Sequence, residues 1–468
     1  MGSRVALPSL GPGVQRGINQ SEADMDRRFN HFYRSFGNYL GCDTMVAIGA
    51  ASKTGGTLFA KNSDRPVDEA QPLELHPSSD NSESDTRFVT LDGPSPTYRH
   101  IGSRPDWCWG YEHGFNEHQV VIGNEALPSL LPETGQQKLV GMEIVRLALE
   151  RGASAEEAAN VITGLVEKHG QGKFSNSAAI RTYDNIYLVC DPAEAYVVEA
   201  IGHEWALNRV DGAHSVSNVS RMDASAKVSA GAEAQAIEHG LFDTSSGHDF
   251  DWSTAYSSIE DAKSGTRRQS RSSSILAHHD GEIDFGKLML TLSDHGAPEG
   301  DPGQFESVPG NLRGICTHPS AEGGVTAASI VADLCGDGSR LPVYWCAMYS
   351  PCMALFFPVF TEGDLPEVLS VGGNNYSEAS PWWMFYALGQ AGFTGGPDRM
   401  KQIHEGWWDL QKGMFGSAYA IAAKARVMMD TGDMESASEM LTNYMAENTA
   451  NMLRVGRSML RSSANNNY

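Results

Sequence analysis

The sequence predicts an α+β protein in which β-sheets are covered by helices. Three observations lead there. Strand-like runs come in pairs on either side of a central pair of helices. From about residue 380 to the end, apolar residues recur at the three-to-four spacing of helices. The composition, 41% hydrophobic and 20% charged over 468 residues, is that of a soluble globular chain able to bury a sizeable core.

Taken in order, residues 1–20 are spaced by Gly and Pro and read as a flexible start. Residues 21–40 fit one amphipathic helix, with Ser21 as N-cap and Asp24 three residues on. Residues 42–49 and 57–61 read as strands around the turn SKTGGT. A second strand pair lies within 107–127, turning near FNEHQ. Two helices follow over 141–170, joined at Gly152, the second opened by a Ser154/Glu157 capping box. Strands return in DNIYLVCD, AYVVEAIG and EWALNRV, within 184–210. The stretch 222–265 is polar and aperiodic and reads as a surface excursion. Residues 267–296 read as helix with a Gly break, and 326–350 as two strands. There is no convincing internal repeat.

The net charge of −23 and pI near 5.0 argue against nucleic acid or an anionic membrane as partner, since both need clustered Lys and Arg. No apolar run reaches the ~18 residues of a spanning helix, and the N-terminal stretch has no signal-type apolar core, so a cytoplasmic location is expected. Seven cysteines without a C-x-x-C pair imply neither a disulfide framework nor a zinc ribbon. His113/His118 and His278/His279 do not match a zinc helix motif, and nucleotide-binding glycine patterns are absent. No metal or cofactor is expected. Cys108, Cys190, Cys316, Cys335, Cys346 and Cys352 read as small buried hydrophobes.

Cys42 stands apart. It directly follows Gly41 and opens a strand whose hairpin partner carries the charged run KNSDR. With the turn centred near residues 53–54, opposed residues sum to about 107. Cys42 then faces Asp64 and Arg65, with Lys61 about one pair along. A neighbouring cation lowers a thiol pKa from about 8.5 and favours the thiolate. No histidine in the hairpin is placed to act as base. The economical candidate is the α-amine of Cys42 itself, freed by cleavage after Gly41, because an α-amine titrates at about 7.7–8.0. A terminal amine that activates its own side chain is an established arrangement for nucleophiles.

The run CDTMVAIGAASKTGGTLFAKNSDRP closely resembles the start of secernins and of bacterial dipeptidases of the dipeptidase A type. These are N-terminal nucleophile (Ntn) cysteine hydrolases, distantly related to penicillin V acylase and bile-salt hydrolase. WCWGYEHGFNEHQVVIGNEA, SVSNVS, RRQSR, SDHG, GICTH, TAASIVADL, PCMALFFPV and SPWW follow in family order, so the resemblance spans most of 42–385. It implies a four-layer αββα sandwich and amide-bond hydrolysis, with Cys42 as nucleophile and a tetrahedral oxyanion leading to an acyl-enzyme. It further implies that Asp64 binds the Cys42 amine and that Lys61 stands where acylases carry an arginine. Asn124 matches the oxyanion-hole position, and Asn218 a second polar position of the pocket. Arg268 is matched to the arginine near the nucleophile, with Arg271 its rival.

On this reading residues 1–41 are a propeptide, 42–379 the catalytic domain and 380–468 a C-terminal helical extension. Processing falls between Gly41 and Cys42, with attack of the Cys42 thiol on the Gly41 carbonyl as the self-cleavage route. The chain departs from its relatives in the length of the segment before the cysteine and in reading MFYALGQ after SPWW. The expected partner is a small peptide or amide substrate. The Trp and Met residues of 382–430 belong to the core or to a subunit interface of a homo-oligomer. The alternatives are an Ntn acyltransferase, a specialised amidase of small-molecule metabolism, and a non-peptidase, secernin-like interaction protein.

Overall fold

The computed structural model describes residues 41–82, 86–91, 95–175, 180–257, 262–296, 314–319 and 324–465. The flexible start and the amphipathic helix expected over 21–40 lie outside the described residues. In chain order the strands are β1 (Asp43–Ala47), β2 (Leu58–Arg65), β3 (Leu73–His76), β4 (Ser79–Ser82), β5 (Ser95–Thr97), β6 (His100–Ser103), β7 (His113–Asn116) and β8 (Val121–Leu127). After helices α1 (Gly141–Arg151) and α2 (Ala155–His169) come β9 (Phe174–Ser175), β10 (Ile180–Arg181), β11 (Asp184–Cys190), β12 (Ala195–Ile201), β13 (Glu204–Val210), β14 (Ala213–Val216) and β15 (Lys227–Val228). The rest comprises α3 (Ala232–Glu238), α4 (Trp252–Tyr256), α5 (Lys263–His278), α6 (Phe285–Leu292), β16 (Val325–Asp333), β17 (Val343–Met348), β18 (Phe357–Val359), α7 (Pro381–Asp430) and α8 (Met434–Asn465).

Two antiparallel sheets form the middle of the molecule. The first runs β14-β1-β2-β16-β17-β18, and the second β15-β13-β12-β11-β8-β7-β6-β3. They pack face to face: Phe115 of β7 stacks on Tyr344 of β17 with ring centroids 3.6 Å apart. Period-two alternation assigns each strand's side chains to a layer. Along β11, Ile186, Leu188 and Cys190 join the core shared with the first sheet, whereas Tyr187 and Val189 join a second core beneath α1 and α2. Helices α5, α6 and α7 cover the outer face of the first sheet, with α8 packed along α7. The result is the α+β, four-layer αββα sandwich with a C-terminal helical region. Each large apolar side chain fully buried between layers contributes about 1.5–3 kcal/mol.

Local sequence rules account for the elements. Ser154 Oγ accepts from Glu157 N at 3.1 Å, and the Glu157 carboxylate reaches back to Ala153 N at 2.9 Å. The sharp stop after Arg151 comes at Gly152. The long helix α7 is interrupted at Gly396 (φ 74°), directly before Pro397.

The structure differs from the expectation in two places. The stretch 222–265 is not a bare surface loop. Trp252 and Tyr256 of α4 are buried, with Trp252 Nε1 donating to Glu199 Oε2 at 2.8 Å and Tyr256 Oη to Ala232 O at 2.7 Å. Two aromatic anchors fix this segment, and neither leaves a periodic signature. The first hairpin is also offset. Asp43 pairs with Asn62 and Thr44 with Lys61, so opposed residues sum to 105 rather than 107. The shift arises because Gly49–Ala51 form a 3₁₀ turn that draws the reversal back toward β1. A two-residue slip leaves every side chain on its expected face.

Candidate active site

Cys42 lies at the head of β1, and β1 is sandwiched between β14 and β2. Its carbonyl accepts from Ser217 Oγ and from Arg268 Nη1, each at 3.3 Å. Its thiol receives the Asp64 main-chain N–H at 3.4 Å, and the Lys61 ammonium acts electrostatically on the same thiol, pulling its pKa down. The offset register puts the Asp64 backbone, rather than its carboxylate, against the sulfur.

Successive residues of β2 serve opposite layers. Lys61 enters the space between the sheets, where Nζ lies 3.7 Å from Glu125 Oε1. The Glu125 carboxylate also accepts the Thr44 hydroxyl. Room for the lysine stem comes from Gly123, where an added Cβ would stand 2.4 Å from Lys61 Cδ. Asp64 is gripped by two hydroxyls, Thr326 Oγ1 to Oδ1 at 2.6 Å and Thr317 Oγ1 to Oδ2 at 2.7 Å. Arg65 bridges Glu69 at 2.6 Å and Glu112 at 2.8 Å.

Arg268 reaches in from α5. It donates to Asp43 Oδ2 at 2.9 Å and to Asn218 Oδ1 at 2.7 Å, and Asn218 Nδ2 donates to Ala126 O at 2.7 Å. Arg271, three residues on, instead forms two hydrogen bonds with Asp294, at 2.6 and 3.1 Å, and does not line the pocket. Asn124 lies on β8. In the orientation that satisfies both ends of its amide, the N–H₂ donates to Glu112 Oε2 and to Glu112 O, each at 3.0 Å. Its donors are thus engaged by Glu112 in this state.

One pocket is lined by Gly41, Cys42, Asp64, Arg65, Glu112, Asn124, Ala126, Tyr183 and Asn218. All six residues singled out in the sequence therefore meet: Cys42, Asp64, Asn124 and Asn218 line the pocket, and Lys61 and Arg268 bear directly on the thiol or its carbonyl. Sequence reasoning missed Asp43, Glu112, Glu125, Tyr183, Ser217, Thr317 and Thr326. The YEHGF run held a signal for Glu112, an acid inside an otherwise apolar strand region.

The electrostatics follow from depth. Burial pushes the Cys42 thiol up to about 12, against the opposing pull of Lys61. Burial raises Asp64 to about 7, with Arg268 and the threonine hydroxyls acting the other way. It likewise raises Glu125 to about 7, opposed chiefly by Lys61. For Lys61 burial acts downward, but Cys42, Glu125 and Glu112 outweigh it and the ammonium is held above its ordinary value. With Gly41 joined to Cys42 the site therefore carries a neutral thiol and no α-amine.

A second cluster of chemically capable side chains lies near Asp64. His295, Cys316, His318 and Cys352 bring their ligand atoms within 4.8 Å of one another. This set was not anticipated, since its members come from three separate stretches of chain. The C-x-H spacing of 316–318 was the available signal.

No protein-family model matches the chain. Among solved structures it is similar to a mutant of the conjugated bile acid hydrolase from Clostridium perfringens, at 13% identity over 71% of this chain and 94% of that one, with a TM-score of 0.41. A second variant of that hydrolase gives the same identity and TM-score over 70% of this chain and 94% of that one. The N-acylethanolamine-hydrolyzing acid amidase ortholog of Caenorhabditis elegans matches at 11% identity over 47% and 85%, with a TM-score of 0.24. No helix among the described residues is long and apolar enough to cross a membrane.

Proposed function

We propose that the protein is a cysteine amidohydrolase of the N-terminal nucleophile type, activated by cleavage between Gly41 and Cys42 and acting on small peptides, most simply dipeptides. The observation that carries this reading is the setting of Cys42. It is a buried thiol at the head of a central strand, under the electrostatic pull of Lys61, with the Asp64 main chain hydrogen-bonded to it and its carbonyl held by Arg268 and Ser217.

Cleavage replaces an amide with an α-amine whose ordinary pKa is about 7.7–8.0. That amine takes the thiol proton as the sulfur attacks the substrate carbonyl, and Lys61 stabilises the thiolate. Asp64 accepts a hydrogen bond from the resulting α-ammonium, and the two threonines fix its orientation. The C–N bond breaks as the ammonium returns its proton to the leaving amine, leaving a thioester on Cys42. A water, deprotonated by the same α-amine, then hydrolyses the thioester and restores the thiol. Asn124 supplies the oxyanion donor once the substrate draws its amide away from Glu112, a contact worth about 3–4 kcal/mol where such donors have been removed.

The pocket favours a small polar substrate. Apart from Ala126 and Tyr183, its side-chain lining is polar or charged, the kind of wall that orients a polar ligand. Arg65 and Glu112 stand together in the wall, an arrangement suited to the charged ends of a short peptide. The test is release of free amino acids from a dipeptide panel by chain beginning at Cys42, with Cys42→Ala as control. Hydroxylamine added to the reaction should yield a hydroxamate. A chain with a free Cys42 amine that cleaves no dipeptide or simple amide and yields no hydroxamate would rule the reading out.

A further inference from the structure

We propose that His295, Cys316, His318 and Cys352 form a structural zinc site that braces the catalytic layer from behind Asp64. This does not depend on the amidohydrolase reading. The four ligand atoms already lie within 4.8 Å of one another. His318 Nε2 is 3.1 Å from Cys352 Sγ, and the His295 and His318 rings meet edge to face at 4.6 Å. A tetrahedral zinc with bonds of about 2.3 Å to sulfur and 2.0–2.1 Å to nitrogen spaces its ligand atoms about 3.3–3.8 Å apart. The cluster thus needs a contraction of roughly an ångström at its widest pair, and rotamer adjustments can supply that.

The donor set selects the metal. Two thiolates and two imidazoles suit zinc, whereas magnesium and calcium prefer oxygen. Four protein ligands fill a tetrahedron and leave no open position, which is the pattern of a structural site. Burial fits as well: Cys316 and Cys352 are each 2% exposed and His295 6%.

The ligands come from segments that the fold brings together independently. His295 follows the end of α6, where Asp294 O accepts from both Ile315 N and Cys316 N at 2.9 Å. Cys352 sits in the turn after β17, closed by Met353 N to Ser350 O at 2.9 Å. His295 of SDHG, Cys316 and His318 of GICTH and Cys352 of PCMALFFPV, which the catalytic scheme leaves without a role, thereby acquire one. The consequence for the active site runs through Thr317. It lies between two of the ligands, and its hydroxyl donates to Asp64 Oδ2 at 2.7 Å. A metal that fixes Cys316 and His318 therefore fixes one of the two hydroxyls that orient Asp64.

The test uses the full chain in a Cys42→Ala background, so that the active-site thiol contributes no ligand. The reduced protein is incubated with Zn²⁺ alone, passed through a desalting column containing EDTA, and assayed for metal by mass spectrometry. About one zinc per chain should be retained. Co²⁺ in its place should give the visible bands of tetrahedral cobalt together with thiolate charge transfer. Cys316→Ser and Cys352→Ser should each lower retention at least tenfold; the zinc stoichiometry and cobalt spectrum of the parent protein stand even if these variants fold poorly. Folded parent protein that retains no zinc would overturn the proposal. So would retention unaffected in both serine variants, or a Cys316–Cys352 disulfide that persists in the metal-free protein under reducing purification.

Discussion

Gly41→Ala probes the junction on which activation depends. A Cβ at residue 41 would lie 1.8 Å from Arg268 Nη2, 2.0 Å from Cζ and 2.2 Å from Nη1. Carbon contacts relax only at about 3.5 Å, so one partner must retreat by roughly 1.5 Å. If Arg268 moves, its bonds to Asp43, Asn218 and the Cys42 carbonyl, now 2.7–3.3 Å, stretch beyond hydrogen-bonding range. Breaking a buried ion pair from one side costs about 3–5 kcal/mol. If the backbone moves instead, the Gly41–Cys42 peptide shifts relative to the thiol, and a displacement of about 1 Å costs around 100-fold in rate. Either route predicts cleavage slowed at least about 100-fold. The assay is intact mass against time after a pulse of synthesis, comparing Gly41→Ala with the parent. A chain produced to begin at Cys42 has no residue 41 and separates cleavage from later chemistry. Gly41→Ala cleaved with the parent half-time would refute the argument that Arg268 and Gly41 together seat the scissile bond.

Lys61→Met should destabilise the fold by about 3 kcal/mol, because it strands the buried Glu125 carboxylate; adding Glu125→Gln should restore most of the urea midpoint while amide hydrolysis stays at least about 100-fold down. In uncleaved chain the Cys42 thiol, held near 12 against an ordinary 9.0, should react with iodoacetamide at pH 8 at least about 30-fold more slowly than a free thiol, after allowing for the greater nucleophilicity of a more basic thiolate. Equal rates would show that burial does not silence it. Burial also raises Glu143 from 4.5 to about 7. A raised carboxyl contributes stability that is full below pH 4.5 and lost as pH rises through 7, about 3 kcal/mol in all. Thermal midpoints should therefore fall across that window, and Glu143→Gln should flatten the slope; an unchanged slope would contradict the assignment.

The sequence disclosed the site unevenly, for physical reasons. Cys42, Lys61 and Asp64 lie on one hairpin, so local register alone brings them together, and an error of two residues did not change their faces. Arg268 and Arg271 are three apart on one helix, nearly the same face, and only the position of Asp294 separates their roles. Glu112 and Tyr183 reach the pocket, and the threonines reach Asp64, from stretches distant in the chain, which no periodicity announces. Cys316 and Cys352 read singly as buried small hydrophobes, and nothing in the sequence joins them to His295 and His318, because their proximity depends on how α6 and β17 dock against the segment at 314–318. Trp252 and Tyr256 were hidden in an aperiodic stretch for the same reason: two anchors are enough to fix a segment without patterning it.

The central claim is that the working base is the α-amine of Cys42. N-terminal sequencing with intact mass of the amide-hydrolysing fraction of freshly purified protein tests it most directly. Active molecules should begin at Cys42. Active molecules that still carry Gly41 would contradict it, because their Cys42 nitrogen would be an amide, whose delocalised lone pair cannot accept the thiol proton.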